Sequence, residues 1–189
     1  METTYESNIS ISIIRSESRK FIYSKMPKNA GTSIYRGILE KEVKDAELLH
    51  PKELIPSIGY FAFTVVRNPY DRIVSLWNYF KGIEKRKRIP QCTFKEFLQK
   101  DYFNYNGSMK LHANPQYHRI YYDGYIARFE NLEHDWKYIA NKIGVKNSLP
   151  MSNKRNHEIY TKYYDDWCID KVSELYQKDL EVLDYKFGD

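Results

Sequence analysis

The sequence predicts an α/β fold with a mainly parallel sheet. Short runs of aromatic and β-branched residues alternate with helix-length stretches whose apolar residues recur at helical spacing. Each of the two clearest apolar runs is followed at once by a turn and a helix start, the order that builds parallel strands joined by crossover helices. No internal repeat and no long linker interrupts this alternation, so the 189 residues are read as one domain, residues 1–189.

The opening stretch "METTYESNISISIIRSESRK" has a short apolar patch, Ile9 to Ile14, broken by serines. It lacks the basic flank and longer apolar core of a signal peptide, and residues 1–19 are expected to be a peripheral or flexible segment. The first strand is predicted over Lys20–Met26 and is ended by Pro27. A helix follows from near Thr32, with Ile34, Ile38 and Leu39 as its apolar stripe. "GYFAFTVV", Gly59–Val66, is almost wholly apolar and reads as a buried strand.

In "RNPYDRIVSLWNYF", Asn68 is a good N-cap and Pro69 suits the first helical position. Ile73, Leu76, Trp77 and Phe80 form the core stripe, while Asn68, Asp71 and Ser75 are expected to face away from it. Thr93 and Glu96 make a capping box for a short helix ending near Lys100. "GYIARF" is a third strand candidate. Asn131 is expected to cap a helix carrying Leu132, Trp136, Ile139 and Ile143, stopped by Gly144. A last helix is predicted over Asp166–Leu183, with Val172, Leu175, Tyr176 and Leu180 inward.

Bulk properties narrow the function classes. Hydrophobic residues at 42% and charged residues at 29% are ordinary for a soluble domain, and no run approaches the length that spans a bilayer. Cys92 and Cys168 form no pair at metal-ligand spacing and the histidines do not cluster, so no metal is expected and a reducing, cytoplasmic setting is the simpler reading. A net charge of +5 fits an anionic ligand without requiring nucleic acid, which is not expected as a partner.

Two stretches carry phosphate chemistry. In "FIYSKMPKNAGTSIYRGI" a strand runs into a turn holding Lys28, Asn29, Ala30, Gly31, Thr32 and Ser33. Glycine admits close backbone approach, a helix start presents unpaired N–H groups, lysine adds a charge, and the hydroxyls add donors. A nucleoside-triphosphate loop places its lysine just after the second glycine; here Lys28 precedes Gly31 by three residues. In "VVRNPYDRIVSLW", Arg67 ends a buried strand, and Ser75 lies on the same helical stripe as Asn68. Both could then reach an anion above the carboxyl edge of the sheet. Taken singly, the first stretch is also an ordinary turn with a solvated lysine, and the second a surface pair of Arg67 and Asp71 around a cap.

Together the two stretches resemble the sulfotransferases that use 3′-phosphoadenosine 5′-phosphosulfate (PAPS). "PKNAGTS" looks like their 5′-phosphosulfate loop and "VRNPYDRIVSLW" like their 3′-phosphate strand and helix. "HANPQ", "ARFENLEHDW" and "YQKDLEVLDYKF" resemble the carbohydrate sulfotransferase branch more loosely, so the resemblance covers most of the chain from Phe21. It implies a P-loop-like three-layer fold, with helices flanking the central sheet. It also implies that Lys28 neutralises the bridging and 5′-phosphate oxygens, that Gly31, Thr32 and Ser33 wrap that phosphate with Asn29 and Ala30 in the same loop, and that Arg67 and Ser75 hold the 3′-phosphate. Lys154 and Arg155, in "SNKRNH", fall where such enzymes close over the nucleotide. The products would be PAP and a sulfate ester, the acceptor being a hydroxyl, most plainly of a glycan.

An attacking hydroxyl needs a base, and histidine is the usual one near neutral pH. His50 lies between the two phosphate stretches, where some carbohydrate sulfotransferases carry a catalytic histidine, and is the first choice. His112 is second, either histidine being also explicable as one satisfied by loop hydrogen bonds, and Glu53 is a weaker alternative. His134, beside Asp135, reads as a surface residue. The basic run Lys81, Lys85, Arg86, Lys87 and Arg88 reads as solvated surface; as a functional patch it would dock an acidic glycan.

Two departures from the family stand out. The "RKGxxGDWK" segment of the cytosolic small-molecule branch is absent, and the chain is short, as expected of a compact bacterial or viral version. The competing readings are a small ATP–Mg²⁺ kinase and a non-catalytic module for nucleic acid or anionic glycan.

Overall fold

The computed structural model describes residues 13–49, 58–81, 89–101, 107–120, 123–146, 148–149 and 159–189. Its described residues fall into two compact units. One is drawn from within Met1–Val66 and His118–Arg155, the other from within Arg67–Tyr117 and Asn156–Asp189.

The first unit holds a five-stranded sheet: β1 (Ile13–Ser16), β2 (Phe21–Ser24), β3 (Glu47–Leu49), β4 (Phe61–Val66) and β5 (Tyr125–Arg128), in the order β3-β1-β2-β4-β5. β2 pairs parallel with β4, and β4 with β5, while β1 runs antiparallel to both β2 and β3. Four of the five strands therefore share one direction and only β1 opposes them. β2 is buried at every position, as a strand flanked on both sides must be. Tyr23 and Phe63, neighbours across the β2–β4 pair, stack with ring centroids 4.7 Å apart.

Two strands lie where none was predicted. β1 sits inside the stretch expected to be peripheral, yet Ile14 is fully buried. Ser16, the last residue of β1, is also buried, and its hydroxyl donates to Asp45 Oδ1 at 2.8 Å. β3 is three residues of mostly exposed edge, too short and too polar to give a pattern.

Beyond β2, the predicted helix forms as α1 (Gly31–Ile34), a π-helical turn (Tyr35–Leu39) and α2 (Glu40–Glu42), with Ile34, Ile38 and Leu39 buried as expected. Helix α6 spans Leu132–Ile143 and buries Trp136, Ile139, Ala140 and Ile143. Gly144 ends it at φ 68, where a Cβ would also lie 2.5 Å from Arg19 Nη1. Asn131 does not cap α6 through its side chain, which instead turns toward Asp135 at 3.3 Å.

The second unit contains α3 (Pro69–Lys81), α4 (Phe94–Gln99), α5 (Gly107–Ala113), α7 (Asp166–Leu175) and α8 (Gln177–Leu183). Their core joins Ile73, Leu76, Trp77 and Phe80 of α3 with Phe94, Phe97, Cys168 and Val172. The capping box at Thr93 and Glu96 is complete. The final helix is broken at Tyr176, whose φ of −121 leaves the helical range. Tyr176 and Asp179 are buried there, while Leu175 and Leu180 are only partly covered.

Candidate functional site

Because β2 and β4 are parallel neighbours, the chain leaves both at the same edge of the sheet. After β2 it enters the loop Lys25–Ala30. Lys28 (φ 68) and Ala30 (φ 58) are both left-handed, with Asn29 between them. Such backbone costs about 1–3 kcal/mol per non-glycine residue and persists where surrounding contacts hold it. Here the contact is Asn29, fully buried, whose Nδ2 donates to Val65 O at 2.8 Å and ties the loop to the end of β4. Alternating backbone handedness of this kind also forms anion-binding nests of N–H groups. Lys28, Ala30 and Ser33 are half-buried and Thr32 is exposed, so the loop's polar groups stand at the surface above the buried Asn29.

Gly31 is required by close packing. A Cβ there would sit 2.8 Å from both Cε and Cγ of Lys25. That lysine is itself buried, 4% exposed, with its ammonium 5.7 Å from the centre of the Tyr35 ring. Burial, with the charge of Arg36 added, pushes its pKa down to about 8. The loop thus carries two lysines, one at its surface and one beneath its glycine.

In the second unit, Asn68 Oδ1 accepts from the Tyr70 N–H at 3.0 Å and so caps α3 as predicted. It does not face away from the core, being fully buried with its Nδ2 donating to Lys186 O at 2.8 Å. Arg67, just before the cap, is 4% exposed. Its Nε and Nη2 both contact Asp71 Oδ2, at 2.8 and 2.6 Å, which fixes the plane of the guanidinium. Ser75 lies half-buried in the second turn of α3. On the same helix, Arg72 is buried and donates through Nη2 to His112 O and Asn114 O, at 2.9 and 2.5 Å.

Lys28 thus follows β2 in a loop fastened through Asn29, and Arg67 follows the last residue of β4 in the chain. A sequence profile of the sulfotransferase family matches residues 12–186. The chain belongs to the sulfotransferase family. An uncharacterized protein of Archaeoglobus fulgidus is 28% identical over 92 residues, spanning 48% of this chain and 73% of its own. No solved structure matches the chain.

Lys28 and Arg67 both lie within the matched residues. Among the base candidates, His112 is 7% exposed, its ring stacked 6.2 Å from that of Tyr79 and edge-on to Phe80 at 5.8 Å. His134 is largely exposed beside Asp135, as the sequence suggested. His50, Glu53, Lys154 and Arg155 lie outside the described residues, as do Lys85, Arg86, Lys87 and Arg88. Lys81, from the same basic run, holds its ammonium 3.8 Å from the centre of the Trp77 ring. Among the described residues, no group of three or more His, Cys, Asp or Glu is placed to hold a metal, and no helix is long and apolar enough to cross a membrane.

Lys25, Gln116 and Asp179 carry no motif of their own in the sequence. A lysine inside the predicted strand Lys20–Met26 is itself a signal, whereas nothing in a single sequence shows what a side-chain amide will bond.

Proposed function

We propose that this sulfotransferase moves the sulfuryl group of PAPS to a hydroxyl of a carbohydrate, giving PAP and a sulfate ester, on a P-loop-like three-layer frame. The observation that carries the reading is the Lys28–Ser33 loop, left-handed at Lys28 and Ala30 and fastened by Asn29 to the end of β4, inside the region matched by the family profile. The resemblance assigns Lys28 and the loop from Asn29 to Ser33 to the 5′-phosphosulfate, and Arg67 and Ser75 to the 3′-phosphate. Lys154 and Arg155 add charge at the second phosphate. Cys92 and Cys168 are both free thiols, compatible with the reducing cytoplasmic setting read from the sequence.

In the transfer, the acceptor oxygen forms a bond to sulfur while the bond from sulfur to the bridging 5′-phosphate oxygen breaks. The electron pair stays on the departing phosphate, and the acceptor's proton passes to a base. Positioned cations and N–H donors serve such a step because the charge to be stabilised grows on the leaving group. Lys28 supplies the cation, and the fixed backbone of the loop supplies donors that need not reorganise. His50 is proposed as the base, with His112 and Glu53 as alternatives; the aromatic enclosure of His112 supports a supporting role for it over proton transfer.

The test is transfer of labelled sulfate from PAPS to a panel of glycan acceptors. Wild-type protein should label at least one. His50→Ala should lose turnover about 100-fold or more, within the range of general-base catalysis, while binding PAP nearly as well. Unchanged turnover in His50→Ala would move the base elsewhere, and absence of transfer to any acceptor would count against the reaction.

A further inference from the structure

We infer that Gln116 is a positioning residue for the anion-binding arginine Arg67, held in place by the buried carboxylate of Asp179. The inference rests on the assignment of Arg67 to the 3′-phosphate. It concerns why that arginine is set where it is.

Arg67 lies one residue past the last ladder pair of β4, Val66 opposite Arg128. Gln116 bonds both of its backbone polar groups. Its Oε1 accepts from the Arg67 N–H at 3.0 Å, and its Nε2 donates to Arg67 O at 2.8 Å. Of the uncharged side chains, only the amides of Asn and Gln present a donor and an acceptor side by side in one plane. The pair of bonds reproduces what a neighbouring strand would give, on a single residue.

The clamp is in turn anchored. The Gln116 N–H donates to both carboxylate oxygens of Asp179 at 2.8 Å, and the Tyr117 N–H donates to Oδ1 at 2.9 Å. Asp179 is fully buried, and Arg72 Nη1 approaches it at 3.9 Å. The residues leading to Gln116 are gripped through their carbonyls: His112 and Asn114 by Arg72, Ala113 by the Tyr176 hydroxyl at 2.7 Å. The stretch around Arg67, the "HANPQ" segment and the tail carrying Asp179 are thus joined by hydrogen bonds within one unit. Gln116 fixes the backbone of Arg67 and Asp71 fixes its guanidinium. A cation held at both ends meets its anion without first being ordered, and small displacements of such a group weaken binding steeply.

A purely structural glutamine and a positioning one are separated by comparing two ligands. PAP carries the 3′-phosphate and adenosine 5′-phosphate (AMP) does not. Gln116→Glu keeps the size and an acceptor for the Arg67 N–H but places a carboxylate oxygen against Arg67 O. It should weaken PAP about tenfold while leaving AMP nearly unchanged, and should add little in an Arg67→Ala background. Equal weakening of PAP and AMP, or no change in PAP, would overturn the inference while Arg67→Ala still lowers PAP selectively. A wild type that does not prefer PAP to AMP would overturn the 3′-phosphate assignment, and the inference with it. Amide hydrogen exchange on the wild type gives a check that needs no variant. The Arg67 N–H should be protected in the ligand-free protein, and exchange at the rate of an open loop would show that the clamp is not made.

Discussion

Lys25 shows how far one residue can set local chemistry. Its ammonium is buried under the loop whose glycine packs against its stem, and its pKa is pushed from 10.5 to about 8. Between those values the unfolded chain holds a proton there that the folded chain has released, so folding stability should rise with pH across that window. Below about 8 both states are protonated and the folded protein bears the full penalty of a buried charge. Lys25→Met removes that term. Thermal unfolding followed from pH 7 to 10.5 should show the wild type gaining on the variant above pH 8, and a constant difference would contradict the burial account. A 5′-phosphate bound over this loop would favour the protonated lysine, so the same variant should also weaken PAP. Neither Lys25 nor Gln116 stands out in the sequence. Lys28, Gly31 and Arg67 do, as candidates, because their signal lies in residue type and spacing, whereas Lys25 and Gln116 are set apart by burial and bonding geometry that only the folded chain specifies.

Among the elements, the loop from Lys28 to Ala30 combines strain with fastening. Two left-handed residues in three positions are unfavourable, and Asn29 holds them by its bond to Val65 O. Ala30→Gly removes a Cβ penalty at φ 58 and should stabilise the protein by about 0.5–1 kcal/mol in denaturant unfolding; a loss of stability would mean the methyl group has a contact worth more than the strain. The strands β2, β4 and β5 and helices α3, α4 and α6 were legible because each is an apolar run or stripe, or carries a clear start or stop signal. β1 and β3 were not. Their serines and charged residues are satisfied by partners distant in sequence, such as Asp45 for Ser16 and the Arg15–Glu47 pair at 3.2 Å. The break at Tyr176 was hidden for a related reason. Helical periodicity continues across it, but the buried hydroxyl of Tyr176 and the carboxylate of Asp179 are both committed to the "HANPQ" segment.

At the scale of the whole molecule, each unit has its own hydrophobic core. One is centred on Trp136, Phe21 and Phe63, the other on Trp77, Phe94 and Phe97. The family profile runs through both, from residue 12 to residue 186. The stretches that resemble the family on sequence grounds carry buried polar groups with hydrogen-bond partners, at Asn29, Asn68, Gln116 and Asp179. Buried polar groups are expensive unless satisfied, so their presence there fits a scaffold that holds charged side chains at fixed places. If those side chains serve PAPS, calorimetric titration should show PAP binding that falls about 10- to 100-fold in Lys28→Ala and in Arg67→Ala, the loss expected for one charge-assisted hydrogen-bonding group, with ATP–Mg²⁺ bound weakly. Binding of ATP–Mg²⁺ with no binding of PAP would rule out PAPS as the donor.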